Sequence, residues 1–445
     1  LRTAHATAPK KISTSPGADT TPLYSPDGKY IAWRSQARAG FEADKWRLLL
    51  YDRVSGKIRD LTERFERSVG SFTWRSDSSL IIFAADDRGG STFCAASPEG
   101  KLFYPPGLFA PTSAENGTPF HYDDLVYCGD NIYFGLARID APTEISQING
   151  RVGESYAQLG GVKMAGVTHM NDALLSQIDM QPLESFTFKG ANDEEVQGFM
   201  VKPPGFDPNK KYPLKFLIHG GPQGAWGNEW TYRWNAELFA ATGNYVVVMI
   251  NFHGSTGYGQ TFTDSISGDW GGKPYVDLMK GLDYVEKKFP FIDKNREAAL
   301  GASYGGYMAN WLLGHTNRFK CIVSHDGMFN TESAFGTTEE LWFPNWEFKG
   351  PPWKNRELYR KWSPHEYAAN FKTPTLVVHG QLDYRLDVSN GFDLFTTLQV
   401  LKVPSKMLYF PDEGHWVLKP QNSRLWYQAV NDWVDQWCGP SRTGP

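Results

Sequence analysis

The stretch AALGASYGGYMAN, Ala298 to Asn310, decides how the rest of the chain is read. A short apolar run, Ala298 to Leu300, ends in Gly301-Ala302-Ser303-Tyr304-Gly305, and Tyr307, Met308, Trp311 and Leu312 then recur at helical spacing. Strand, sharp turn and helix is the order of a nucleophile elbow, which lifts a serine Oγ above the end of a sheet. The flanking glycines leave room where side chains would collide. Gly-x-Ser-x-Gly alone is a weak signal, so its surroundings must carry the assignment.

Those surroundings alternate buried strands with amphipathic helices from Glu184 onward. A hairpin is expected over Glu184 to Val201, turning at Gly190 to Asp193. Strands are expected at Leu214 to Ile218, Tyr245 to Asn251, Ala298 to Gly301, Cys321 to Ser324, Thr375 to Val378 and Lys406 to Phe410. Between them the apolar spacing predicts helices over Trp230 to Thr242, Pro274 to Phe289, Tyr307 to His315, Val388 to Leu401 and Ser423 to Trp437. The fold class is therefore α/β, a mostly parallel, doubly wound sheet covered on both faces. Its active site belongs in the loops at the strands' carboxyl ends.

Residues 1–183 read differently, as short strands broken by Asp, Gly, Asn and Pro turns. SPDGKYIAW begins at Ser25 and RSDSSLIIF at Arg75, with a looser echo in CGDNIYFGL from Cys128. Repeats of about 40 to 50 residues made of four short strands are the signature of a β-propeller. At that period, residues 1–183 hold about four blades, so the propeller is expected to be small or incomplete. The division is thus a β-propeller domain over 1–183 and an α/β-hydrolase domain over 184–445. The opening LRTAHATAPKK is neither an initiator Met nor a signal core, and a trimmed or processed N-terminus is expected.

Composition narrows the chemistry. The 445 residues carry a net charge of -4, which leaves no basic face for nucleic acid. No apolar run approaches the ~20 residues of a membrane span. Cys94, Cys128, Cys321 and Cys438 are scattered without CxxC spacing, so a zinc site is not expected and buried inert thiols are. HExxH is absent too, because His365-Glu366 has Ala369 where the second histidine should stand.

A serine needs a base to take its proton, and the base needs an orienting carboxylate. In α/β-hydrolases these follow in the order Ser, acid, His. Of the histidines after Ser303, His315 is carried away by the elbow's own helix, and His325 caps the next strand too early in that order. His365 lies in a polar insertion, and His379 ends the strand four residues before Asp383. His415, in the loop PDEGHW after the last strand, is the expected base. Asp383 in HGQLDYRLD is the expected acid, with Asp387 as its rival. The oxyanion hole is expected from the backbone N-H of Tyr304 and from the loop Leu217 to Pro222, LIHGGP. NFHGSTGYG, Asn251 to Gly259, lacks a phosphate-loop pattern and is read as a wall of the cleft.

Taken in order, GASYGGYMAN, IHGGPQGAWG, NFHGSTGYGQTF, HGQLDYRLD and DEGHW resemble the prolyl oligopeptidase family of serine peptidases, closest to its acylaminoacyl peptidase and dipeptidyl-peptidase V branch. The resemblance implies a hydrolase domain capped by a propeller, normally seven-bladed, that limits the site to peptides. It maps the triad to Ser303, Asp383 and His415 and the oxyanion donors to Gly221 and Tyr304. Exopeptidases of this family hold the substrate's free amine with an acid from the propeller, and Glu42 in AGFEADKW is the residue the resemblance offers. Met328 and Phe329, after the strand that follows the elbow, are candidates for the wall of an apolar S1 pocket, though core packing accounts for them as well.

The expected activity is a serine exopeptidase releasing dipeptides from oligopeptides, with no cofactor or metal. An acylaminoacyl peptidase, an oligopeptidase, a carboxylesterase and an inactive binding protein are the rivals. The resemblance also favours a periplasmic or secreted location and leaves room for a homo-oligomer.

Overall fold

The computed structural model describes residues 9–104, 120–149 and 164–439. The eight-stranded sheet at its centre is built from β13 (Glu184–Lys189), β14 (Glu195–Val201), β15 (Tyr212–Ile218), β16 (Val246–Asn251), β17 (Ile292–Ala302), β18 (Cys321–His325), β19 (Thr375–Gly380) and β20 (Ser405–Phe410). Its order is β13-β14-β16-β15-β17-β18-β19-β20, antiparallel across the first two pairings and parallel thereafter. All six residues of β16, VVVMIN, are buried. A strand covered on both faces reads as such a continuous apolar run.

The helices are α1 (Asp172–Leu175), α2 (Ala236–Ala241), α3 (Gln260–Asp264), α4 (Lys273–Lys288), α5 (Tyr304–His315), α6 (Thr331–Thr337), α7 (Trp342–Glu347), α8 (Pro352–Lys361), α9 (Ser389–Val400) and α10 (Pro420–Cys438). Two apolar cores result. One joins α4, α5 and β15 through Leu278, Leu282, Phe216, Tyr307 and Leu312. The other joins α2, α10 and β16 through Phe239, Ala240, Trp426, Val430 and Val247. Between β15 and β17 the chain order reverses, β15 leading outward to β16 and β17 to β18 on the other side. Ligands of doubly wound sheets bind at such a switch point.

Two expected elements differ. The helix expected over Trp230 to Thr242 is confined to α2, because the Asn235 side chain accepts the Leu238 N-H at 2.8 Å and caps it there. Trp234, at φ 53°, cannot continue a right-handed helix. The strand expected from Ala298 already begins at Ile292, and its polar start, Asp293 to Arg296, hides it from a search for apolar runs.

Upstream lie three four-stranded antiparallel sheets. The first holds β1 (Asp19–Tyr24), β2 (Tyr30–Ser35), β3 (Arg47–Asp52) and β4 (Ile58–Asp60). The second holds β5 (Val69–Trp74), β6 (Ile81–Asp87), β7 (Gly90–Ala96) and β8 (Leu102–Phe103). The third holds β9 (His121–Cys128), β10 (Asn131–Arg138), β11 (Ala141–Asn149) and β12 (Ala165–Gly166). Each sequence repeat falls on the turn between the first two strands of its sheet. Asp27 and Asp77 hold two of these turns by accepting backbone N-H groups of Lys29 and Ser79 at 3.0 and 2.9 Å. The arrangement is propeller-like. Length suggests about four such units, but the approach to β1 and the stretch from Val167 to Leu183 add no sheet among the described residues. Cys94, Cys321 and Cys438 are buried free thiols as expected; Cys128 instead is exposed, at the β9-β10 turn.

The strap into the large sheet crosses α2, where Glu237 accepts the Gln181 N-H at 2.9 Å. Burial pushes the Glu237 carboxyl up to about 8, with the Gln181 N-H pulling it down and Asp140 and Asp179 adding to the rise. Between its ordinary range and about 8, the folded chain holds a proton that the unfolded chain has released. Stability from this group is complete below the ordinary range and is lost as pH rises. Glu237→Gln keeps the acceptor and removes the titration. Its Tm is expected to match the parent near pH 5 and exceed it by about 3 °C at pH 8; parallel Tm-pH curves would contradict this.

Candidate active site

Ser303 stands between β17 and α5 at φ 58°, ψ -120°, a conformation L-residues rarely adopt. The turn fits because Gly301 and Gly305, two places to either side, lack side chains. A Cβ on Gly305 would overlap the carbonyl oxygen of Ile218, and one on Gly301 would overlap that of Gly305. The LIHGGP loop comes alongside because β15 pairs with β17, Ile218 opposite Gly301. Gly220 is so close that a Cβ there would lie 3.3 Å from the Ser303 Cβ. Gly221 adopts φ 115°, and the N-H of Tyr304 opens α5.

His219 fixes this loop. Its Nδ1-H donates to the Gly220 carbonyl at 2.7 Å, its Nε2 accepts the Ser255 hydroxyl at 2.9 Å, and its ring stacks on Phe252. Burial pushes its pKa down to about 4, so it is neutral. NFHGSTGYG therefore supports the loop from beneath: residues 251–259 contribute nothing to the cavity wall, contrary to the reading of this segment as a wall of the cleft.

Across the cavity, His415 Nδ1 lies 2.8 Å from Asp383 Oδ2. Asp383 is fully buried, and its Oδ1 accepts the N-H groups of Arg385 and Leu386 at 3.0 and 2.9 Å. Burial raises its pKa, but the His415 hydrogen bond and charge, with the Leu386 N-H, bring it below the usual carboxylate range. Asp387 is spent on the start of α9, where it accepts the Ser389 N-H. His379 donates from Nε2 to the Leu386 carbonyl, and His315 lies against Trp311.

Asp326 escaped the sequence reading. It follows His325 at the end of β18, fully buried at φ 46°, and offers an oxygen within 4.8 Å of atoms on both Asp383 and His415. Burial pushes its carboxyl up to about 7, with His379 pulling down and Asp383 pushing up. Of the two buried acids beside His415, Asp383 is thus the one held ionised. An Asp directly after a strand in the doubly wound region was the available signal.

Ser303 and His415 line one cavity of about 490 Å³, within the range of sites that enclose small ligands. Gly221, Tyr304, Met328 and Glu42 line it too. Phe329 does not: it is buried among Phe371 and His365, so it belongs to the core. Met328 shares its part of the wall with Tyr304, Tyr307, Ala334 and Phe343. Glu42 reaches the cavity from the loop after β2. Arg38 anchors that loop with a two-pronged pair to Asp264 of α3 at 2.7 and 3.0 Å, and Phe41 stacks on Trp346 of α7. The Glu42 carboxylate accepts the Trp342 indole N-H at 3.4 Å.

Residues 230–441 match the model of the prolyl oligopeptidase family. That stretch of the chain belongs to the family. The prolyl oligopeptidase region and the upstream sheets together resemble dipeptidyl-peptidase 5 of Schizosaccharomyces pombe, 37% identical over 440 residues, or 96% of this chain and 60% of that protein. Dipeptidyl-peptidase 5 of Aspergillus oryzae is 39% identical over 424 residues, covering 94% of this chain and 56% of its own. The chain therefore spans about three-fifths of the curated relatives it matches. Among solved structures, Pyrococcus horikoshii acylaminoacyl peptidase superposes with a TM-score of 0.78 at 21% identity, over 94% of this chain and 63% of its own. A Mycobacterium tuberculosis puromycin-hydrolyzing peptidase does so at 0.74 and 17%, over 96% and 62%. No helix among the described residues is long and apolar enough to cross a membrane.

Proposed function

We propose that the chain is the catalytic part of a serine exopeptidase that releases dipeptides from free N-termini, with residues 184–445 as the hydrolase unit and 1–183 as propeller. The observation that carries the reading is the 2.8 Å pair of His415 Nδ1 and Asp383 Oδ2 beside a cavity that also holds Ser303 on a strained elbow. Ser303 Oγ attacks the scissile carbonyl while His415 Nε2 takes its proton. The N-H groups of Tyr304 and Gly221 receive the oxyanion. His415 then protonates the departing amine, and water, activated by the same imidazole, hydrolyses the acyl-enzyme. Asp383 keeps Nδ1 protonated and Nε2 free to act as base.

The relatives' name, dipeptidyl-peptidase 5, supports the dipeptide register. The carboxylate of Glu42 supplies a partner for a substrate ammonium, and Met328, with Tyr304, Tyr307, Ala334 and Phe343, offers an apolar wall for the residue before the scissile bond. A matched pair of fluorogenic dipeptides tests this, one with a free amine and the other N-acetylated. Cleavage of the free form, at least tenfold over the acetylated one in kcat/KM, is expected, because acetylation replaces the ammonium that pairs with Glu42 by a neutral amide. Preference for the blocked form would transfer the reading to an acylaminoacyl peptidase and remove the role of Glu42.

A further inference from the structure

The cavity wall draws on both apolar cores. Tyr304, Tyr307, Met328, Ala334 and Phe343 come from the α5 side of the sheet, whereas Trp234, Ala236, Val417 and Trp426 come from the α2 and α10 side. The second wall carries the chain neighbours of His415, namely Trp416 and Val417. Chemistry tells the two apart. The proton held on His415 goes to the amine that leaves, so the leaving fragment lies on the His415 side of Ser303.

On that side stands Arg233. It lines the cavity, and its guanidinium carbon is 5.1 Å from the centre of the Trp416 ring. Arg385, over the same ring at 5.4 Å, is neutralised by Glu340 at 2.7 Å. Arg233 has no carboxylate partner among the described residues, and burial pulls its pKa down. Beside it is His325, stacked on Trp234 and buried. Its Nε2 lies 2.9 Å from Asp326 Oδ2 but off the hydrogen-bonding direction, and neither ring nitrogen has a hydrogen-bond partner. Burial and the Arg233 charge hold His325 neutral, its pKa down to about 3. The wall that faces the leaving fragment thus carries an unneutralised cation and an unused imidazole.

We propose that Arg233 is a specificity-determining residue for the leaving fragment, binding a carboxylate on it. That carboxylate is the free C-terminus when the fragment is short, or an acidic side chain near its start. The inference rests on the acyl-enzyme reading above. The contact is made while the C-N bond breaks and is gone once the fragment leaves, so Arg233 acts on acylation and not on hydrolysis of the acyl-enzyme.

The test measures kcat/KM for trialanine and trialanine amide, and for a pair of C-terminally amidated pentapeptides with Asp or Asn in third position. An alanyl-alanine anilide, which has no carboxylate, reports the acyl-enzyme reading by itself. Expected is a preference for trialanine over its amide of about fivefold at low salt, shrinking as salt is raised. The ratio should fall to about one in Arg233→Gln and be partly kept in Arg233→Lys. An Asp-over-Asn preference without the acid-over-amide preference would place the carboxylate on a side chain. Anilide cleavage with no preference in either pair overturns the proposal, as does a preference that Arg233→Gln leaves intact. If the anilide is not cleaved, the proposed function fails and takes this inference with it.

Discussion

Replacing Ser303 by alanine should lower kcat by about 10⁵-fold or more, leaving a folded protein whose Tm is within about 2 °C of the parent. The loss is total for the covalent route, because no second hydroxyl can stand at the elbow. Ser303 sits there at φ 58°, held by the backbone rather than by its own side chain: its N-H donates to the His325 carbonyl at 3.0 Å, and its carbonyl accepts the Tyr307 N-H at 2.8 Å. Removing Oγ leaves both bonds in place. A fluorophosphonate should label the parent and fail to label the variant. Substantial residual turnover with an intact fold would sink the assignment of Ser303.

The second large effect is expected from Asp383→Asn. The carboxylate takes a hydrogen bond from His415 Nδ1 on one oxygen and two backbone N-H groups on the other. An asparagine oriented to keep the backbone bonds on its oxygen turns its NH₂ toward Nδ1. The imidazole must then accept at Nδ1 and carry its proton on Nε2, the wrong tautomer for a base. A fall in kcat of about 10⁴-fold is expected, with little change in KM. Asp326 does not replace the lost acid, since its full burial favours the protonated form. If Asp383→Asn keeps activity near the parent's and Asp326→Asn does not, the two acids exchange roles.

How much of this could be read from residues depends on whether the signal is local. The elbow is local: its glycines, serine and strand-to-helix switch occupy consecutive positions, and the backbone at Ser303 has the strain such a turn demands. The strand β16 is local for the same reason, an apolar run too short for a helix and too continuous for a half-exposed strand. The propeller-like repeats are legible because each puts turn-forming side chains between two strands. Where several residues compete for one segment, locality fails. Trp230 to Trp234 has helical apolar spacing, yet Thr231, Arg233 and Trp234 form cavity wall, because the Asn235 cap stops α2 from extending backward. Phe329 and Met328 are neighbours in sequence and in the same core, yet only Met328 also reaches the cavity wall.

From its sequence alone the chain has an α/β-hydrolase part after an all-β part, a serine elbow, and a histidine and acids placed in the order the chemistry needs. Those are properties of neighbouring residues, and short-range sterics and hydrogen bonding suffice to set them. Only the tertiary structure decides which acid meets His415, that Asp326 lies buried beside the pair, and that Arg233 and His325 share a wall with Trp416. Those groups come from β18, β19, the last strand-end loop and the loop before α2, and they meet because the order of parallel strands, not their sequence spacing, sets which loop ends are neighbours.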